Sequence, residues 1–156
     1  MANVWQEPIF DRTREDVEFA INKIAEWIAK GEVNVYDLKG CLNVSDINRI
    51  EGNIAYLAKQ LPGYSIDVTT KQWTKNDIPM ENDIQRIISN VRALVTGFYQ
   101  VNYAPSIPQS MLSYEDINAI ERNLDLIKFL IECMVNSFRR SGTFQSGSTM
   151  FLPKGR

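Results

Sequence analysis

Apolar side chains recur along this chain at helical spacing, and the same arrangement is repeated. Asp46-Ile47-Asn48-Arg49-Ile50-Glu51-Gly52-Asn53-Ile54 with Leu57 matches Asp83-Ile84-Gln85-Arg86-Ile87-Ile88-Ser89-Asn90-Val91 with Leu94, and Asp116-Ile117-Asn118-Ala119-Ile120-Glu121-Arg122-Asn123-Leu124 with Ile127. Each copy places apolar residues one, four, eight and eleven positions after its Asp, the stripe of an amphipathic helix. A weaker fourth copy runs Asp16-Val17, Ala20, Ile24, Trp27.

The polar residues around each stripe predict where the helices start. Three positions before each Asp stand Thr13, Asn43, Met80 and Ser113. Thr, Asn and Ser are good N-caps, and an Asp at the third helical position can return a bond to the cap backbone. Leu42 with Ile47, and Leu112 with Ile117, have the spacing of a hydrophobic staple. Met80 departs from the pattern, and Pro79 beside it sets that start instead. Gly31, Pro62-Gly63, Gly97 and Gly142 supply the stops. Helices are therefore predicted near 14–30, 44–61, 81–97 and 114–140.

One helix per repeat favours an all-α, four-helix bundle-like domain over a solenoid, whose repeats generally contribute two or more packed elements. The connections are predicted to be extended arms. Tyr64 to Thr69 alternates apolar and polar side chains, as a short strand or an extended arm, with Trp73 after it. Extended segments are thus placed near 64–79 and 99–111, the second carrying Tyr103, Pro105 and Pro108 over the bundle surface. Residues 1–140 form the helical domain, and 141–156 a C-terminal tail without helical period, where Gly142, Gly147 and Pro153 punctuate Phe144, Met150, Phe151 and Leu152.

Composition narrows the chemistry. The 156 residues, 44% apolar and 23% charged, suit one globular core. Seventeen basic against 19 acidic side chains give a net charge of −2, which argues against a nucleic-acid partner. There is no histidine, so no imidazole base, Ser-His or Cys-His dyad or His-ligated metal can form. Two cysteines, Cys41 and Cys133, read as reduced thiols. Met1 to Phe10 has no signal-peptide pattern. Leu124 to Val135 is broken by Asp125, Lys128 and Glu132, so no membrane partner is expected and the chain is placed in a cytosol unless a particle carries it out.

Candidate sites reduce to a few groups. Asp46, Asp83 and Asp116 with Asn53, Asn90 and Asn123 read either as oxygen ligands for a hard cation or as caps whose Asn partners tie down neighbouring connections. The cap reading is preferred, because a recurrent cap position already explains the Asp. Glu51 and Glu121 occupy equivalent positions and read as solvated helix faces rather than a catalytic acid pair. Cys41 precedes a helix start, where activation by the helix terminus competes with a half-buried structural thiol, the preferred reading. No catalytic, cofactor-binding or metal residue is assigned, and no cofactor is expected. Aromatic residues in the non-helical segments, above all Trp5, Tyr64, Trp73, Tyr103, Phe144 and Phe151, exceed what a lone bundle needs, which marks Trp73, Tyr103, Phe144 and Phe151, together with aliphatic Leu152 of the tail, as partner contacts. Arg139 and Arg140 join them, as part of a basic end with Lys154 and Arg156. The tail is expected to dock in extended form on a neighbouring subunit or another protein.

The strings Leu38-Lys39-Gly40-Cys41-Leu42-Asn43 leading into Asp46 to Leu57, then Trp73 with Asp77-Ile78-Pro79 and Asp83 to Ile87, resemble small helical structural proteins of phage and prophage tail modules from Gram-positive bacteria. Met111-Leu112-Ser113-Tyr114 through Asn123, with Ser141-Gly142-Thr143-Phe144, is similar too, so the likeness covers roughly 38–147. It implies a non-enzymatic component of a phage tail, tail tip, baseplate or tail-like particle. Its partners would be other tail or baseplate proteins, with a homo-oligomer compatible, and its location the host cytoplasm and then the particle. The alternative is a small cytosolic helical binding module, such as an assembly chaperone or an inhibitor of a host protein.

Overall fold

The repeated Asp starts every helix. In the computed structural model, which describes residues 4–32, 36–64, 66–98 and 102–141, its carboxylate accepts the N-cap N–H each time. The distances are 2.8 Å from Thr13 to Asp16, 3.0 Å from Asn43 to Asp46, 3.2 Å from Met80 to Asp83 and 3.1 Å from Ser113 to Asp116. The reciprocal bond, from the Asp N–H to the cap hydroxyl, forms at Thr13 and Ser113. Asn43 and Met80 make no side-chain cap bond. Asn43 instead donates to the carbonyls of Leu38 and Cys41, and Met80 has no oxygen to offer. The resulting helices are α1 (Arg14–Lys30), α2 (Val44–Gln60), α3 (Glu81–Gly97) and α4 (Tyr114–Ser141).

The stops follow local chemistry. Gly31 adopts the left-handed conformation (φ 68°) and turns its N–H back to the carbonyls of Ile28 and Trp27. α2 runs into a single 3-10 turn, Pro62–Tyr64. Gly97 is the last residue of α3 rather than a residue beyond it, and a side chain there would meet Ile66 at 2.9 Å. Gly142 lies outside the described residues.

The fold is all-α and four-helix bundle-like, but the helices do not share the core evenly. Ile50, Ile54 and Leu57 of α2, Ile87, Val91 and Leu94 of α3, and Ile120, Leu124 and Ile127 of α4 form one fully buried cluster. These are the stripe positions, and α2, α3 and α4 pack mutually through them. α1 packs elsewhere, with Ala20 and Trp27 in a small separate cluster with Leu38. Its lobe is fastened where Gly40 touches the backbone of Asp16, so closely that a Cβ would fall 2.1 Å from the Asp16 carbonyl oxygen.

Three extended straps complete the architecture: residues 4–12, 66–79 and 102–112. No strand forms among the described residues, so the Tyr64 to Thr69 region is an arm. Each strap descends a groove between two core helices, fixed to the tenth residue of one helix and then to the fifth residue of the other. Strap 66–79 meets Asn90 of α3 through Thr69, then Asn48 of α2 through Trp73. Strap 102–112 meets Asn123 of α4 through Pro105, then Gln85 of α3 through Gln109. Strap 4–12 meets Asn53 of α2 through Gln6, then Asn118 of α4 through Arg12. The three core helices are consequently parallel, straps 66–79 and 102–112 each returning the chain from one helix end to the next start. The first strap also precedes α2 in this scheme, with α1 inserted between them.

One staple is corrected. Leu42 packs against the core beside Ile47, but Leu112 is 93% exposed. Met111 takes the inward position in that strap, so its successor points out.

Candidate functional site

The groove-lining residues come from two flanks of the repeat. Counting from each Asp, residues three and seven places on share one flank of the helix, and residues two and five places on share the other. One flank of α2 presents Arg49 and Asn53 to the α4 groove, while Asn48 and Glu51 face the α3 groove.

The amides act as strap clamps. Asn53 accepts the N–H of Gln6 at 2.9 Å and donates to its carbonyl at 2.8 Å. Asn48 accepts the N–H of Trp73 at 2.8 Å and donates to its carbonyl at 3.0 Å. Asn90 donates to the Thr69 carbonyl at 2.7 Å and Asn123 to the Pro105 carbonyl at 3.0 Å. A paired amide replaces the ladder bonds that an isolated extended segment lacks, and so satisfies backbone groups the groove takes from water. Asp and Asn therefore serve as caps and tethers. Among the described residues no group of three or more Asp, Glu or Cys is placed to hold a metal ion.

The carboxylates depart from expectation. Glu51 and Glu121 are 2% and 1% exposed, not solvated. The Arg86 guanidinium clasps Glu51 with bonds of 2.6 and 2.9 Å, and the Trp73 indole N–H adds one at 3.1 Å. Glu121 accepts Arg49 Nε at 2.9 Å and Nη2 at 2.6 Å, Arg12 Nη1 at 3.1 Å and the Ile9 N–H at 2.7 Å. Asp46 joins this set, accepting Arg12 Nη2 at 2.8 Å and Arg49 Nη2 at 2.6 Å. Two guanidinium groups and two carboxylates thus form a neutral buried quartet linking strap 4–12, α2 and α4. Arg12 Nη1 also bonds the Ile9 carbonyl, and Arg12 Nε has no partner among the described residues.

Electrostatics fix these charges. Burial opposes ionisation of Asp46, but the Asn43 N–H and the guanidinium groups of Arg49 and Arg12 outweigh it and hold the carboxyl below its ordinary value. Burial likewise works against the Arg49 charge, and Glu121 and Asp46 more than restore it. The bond to Glu51 leads in raising Arg86. The oxygens of Glu51 and Glu121 are taken up by guanidinium, indole and backbone donors inside the grooves, so both side chains work as structural acceptors. Burial, then the nearby Asp46 charge, pushes the Cys41 thiol up, the opposite of activation at a helix terminus.

The expected partner contacts separate. Trp73 is 3% exposed and belongs to the core, where its ring closes the α2/α3 groove; this corrects its placement at an interface. What holds it inward is the Asn48 clamp on its backbone together with the indole N–H bond to buried Glu51. Tyr103 is 70% exposed and lines a shallow hollow on the outer face of α4 with Leu126 and Phe129. Arg139 and Arg140 fall in the last turn of α4, while Phe144, Phe151 and Leu152 lie outside the described residues. Further large apolar side chains are exposed on α1, namely Phe19, Ile21 and Ile28. No helix among the described residues is long and apolar enough to cross a membrane. No protein-family model, curated protein or solved structure matches this chain.

Proposed function

We propose that this protein is a non-enzymatic structural component of a bacteriophage tail, tail tip or baseplate, or of a phage-derived tail-like particle, acting through protein–protein contacts. The observation that carries the reading is a division of labour between inside and outside. The buried charged and amide groups at the core grooves are spent on holding straps to helices, whereas large apolar groups stand outward at Phe19, Ile21 and Ile28 on α1 and at Tyr103 and Phe129 beside α4. A clamped scaffold with apolar groups outside its core suits a subunit covered by neighbours in an assembly. The motif resemblance in 38–147 supplies the kind of assembly. Its partners are other tail or baseplate proteins, and it passes from the host cytoplasm into the particle.

The test is mass spectrometry of particles purified from the source organism. The polypeptide is expected at a fixed ratio to the other tail proteins. Its absence from washed particles, with recovery on an assembly intermediate or host protein instead, would transfer the protein to the chaperone or inhibitor class.

A further inference from the structure

The threefold scheme leaves one place incomplete. Each core helix is followed by a segment that descends the groove on its next flank: 66–79 after α2, between α2 and α3, and 102–112 after α3, between α3 and α4. At the top of the α2/α3 groove this segment closes the space, with Ile66 against Gly97 and the Tyr64 ring edge-on to Phe98 at 5.1 Å. The α4/α2 groove is filled in its lower part by the described residues of strap 4–12, where Trp5 packs against Tyr56. Among the described residues the groove is open above Trp5. It has a volume of about 310 Å³, lined by Tyr56, Leu57, Ile131 and Val135, by the ion-paired Lys128 and Glu132, and by Gln60 and Asn136.

We infer that this upper α4/α2 groove is the docking site of the chain's own C-terminal segment, residues 142–156, which returns along α4 as a shortened fourth strap. Connectivity selects this occupant. α4 has 28 residues against 17 in α2 and α3, so it overshoots the bundle by about 16 Å at 1.5 Å per residue. Its overshoot lines the groove as far as Asn136, only five residues before the helix ends at Ser141. Lys128 to Asn136, the stretch of α4 along the groove, is about 12 Å long. Fifteen further residues reach at most about 50 Å when extended, ample to turn at Gly142 and run that length. The segment carries Phe144, Met150, Phe151 and Leu152 for the apolar lining. A tail rooted this close meets its own groove at an effective concentration in the millimolar range, well above that of a neighbour's tail in dilute solution. The inference is independent of the functional reading, and it puts the tail on its own bundle instead of the neighbouring subunit expected from sequence.

Paramagnetic relaxation on the full chain tests it. Cys41→Ser, Cys133→Ser and Gln60→Cys allow one nitroxide at the groove rim. The amide signals of residues 144–152 are expected to lose most of their intensity, and to recover it when Val135→Asp is added, with the core signals unmoved. A sample mixing isotope-labelled chains without nitroxide and unlabelled chains with it should show no such loss. Unbroadened tail signals in the first sample would overturn the inference, as would losses that persist in the mixed sample, which assign the groove to a second copy.

Discussion

Glu121→Gln is the most incisive perturbation of the buried quartet, because it keeps the side chain's shape and removes its charge. Glu121 accepts four hydrogen bonds, three of them from guanidinium nitrogens. An amide offers one oxygen and turns an NH2 toward donors, so about half of these bonds survive. Two lost charge-assisted bonds at about 1.5–3 kcal/mol each give a cost of about 3–6 kcal/mol, close to the range found when one member of a buried ion pair is removed. For a domain of this size that corresponds to a fall of roughly 6–24 °C in thermal midpoint. Urea unfolding followed by far-UV circular dichroism reads it directly. The repeat supplies an internal control: the corresponding positions on α4 and α3 are Ala119 and Ile88. Replacing Arg49→Ala together with Glu121→Ile copies that apolar solution and leaves Arg12 paired with Asp46. The double variant should be at least about 1 kcal/mol more stable than the summed single changes predict, although the Ile9 N–H loses its acceptor. A cost below about 1 kcal/mol for Glu121→Gln, or strict additivity of the pair, would refute a dry, coupled network.

The remaining predictions concern the core, the caps and pH. Ile54→Ala and Leu124→Ala each remove a fully buried stripe residue and should cost about 2–5 kcal/mol; losses under about half a kcal/mol at both sites would deny the shared core. Ser113→Ala should cost about 1 kcal/mol, while Met80→Ser, which supplies the missing cap oxygen, should gain up to about 1 kcal/mol in the same urea assay. Because the Asp46 carboxyl is held below its ordinary value in the folded chain, its share of stability is fully present above about pH 4 and is lost as pH falls through the lower folded value. The stability gap between the natural chain and Asp46→Asn should therefore narrow as pH falls from about 4 toward about 2.5, and a gap that stays constant through that range would contradict the assignment.

Local chemistry made the helices legible in the sequence. A cap, an Asp three places later and a stripe at helical period are short-range signals, and they located α1 to α4 within a residue or two. The Asn tethers were legible for a related reason, since an amide repeated beside the stripe had to meet whatever crosses the groove. Burial of Arg49, Glu51 and Glu121, with Arg86 half-buried, was not, because on a bare helix these positions flank the stripe and stay wet. The straps are what cover them, and an extended segment announces neither its path nor its destination. A trace existed nonetheless: the copy that lacks Arg at the third place after Asp, with Ala119, is the one that follows the copy lacking Glu at the fifth, with Ile88. Inserted α1 disguised the scheme further by separating strap 4–12 from its helix.

That pairing of gaps also decides the hand of the bundle. Three similar parallel helices can close a ring in two senses, and the apolar stripes favour neither. In the observed sense Arg86 meets Glu51 and Arg49 meets Glu121, while Ala119 of α4 and Ile88 of α3 face the remaining groove. In the opposite sense Arg86 would face Glu121, but Arg49 would be turned toward Ile88 and Glu51 toward Ala119. Glu51 would then be buried without its guanidinium and Arg49 would keep only Asp46 of its own helix, each loss costing a few kcal/mol. A domain whose whole stability is about 5–15 kcal/mol cannot carry both. The ion pairs thus contribute less by their net attraction than by excluding the wrong ring, since the apolar third interface shows that the same positions pack without them.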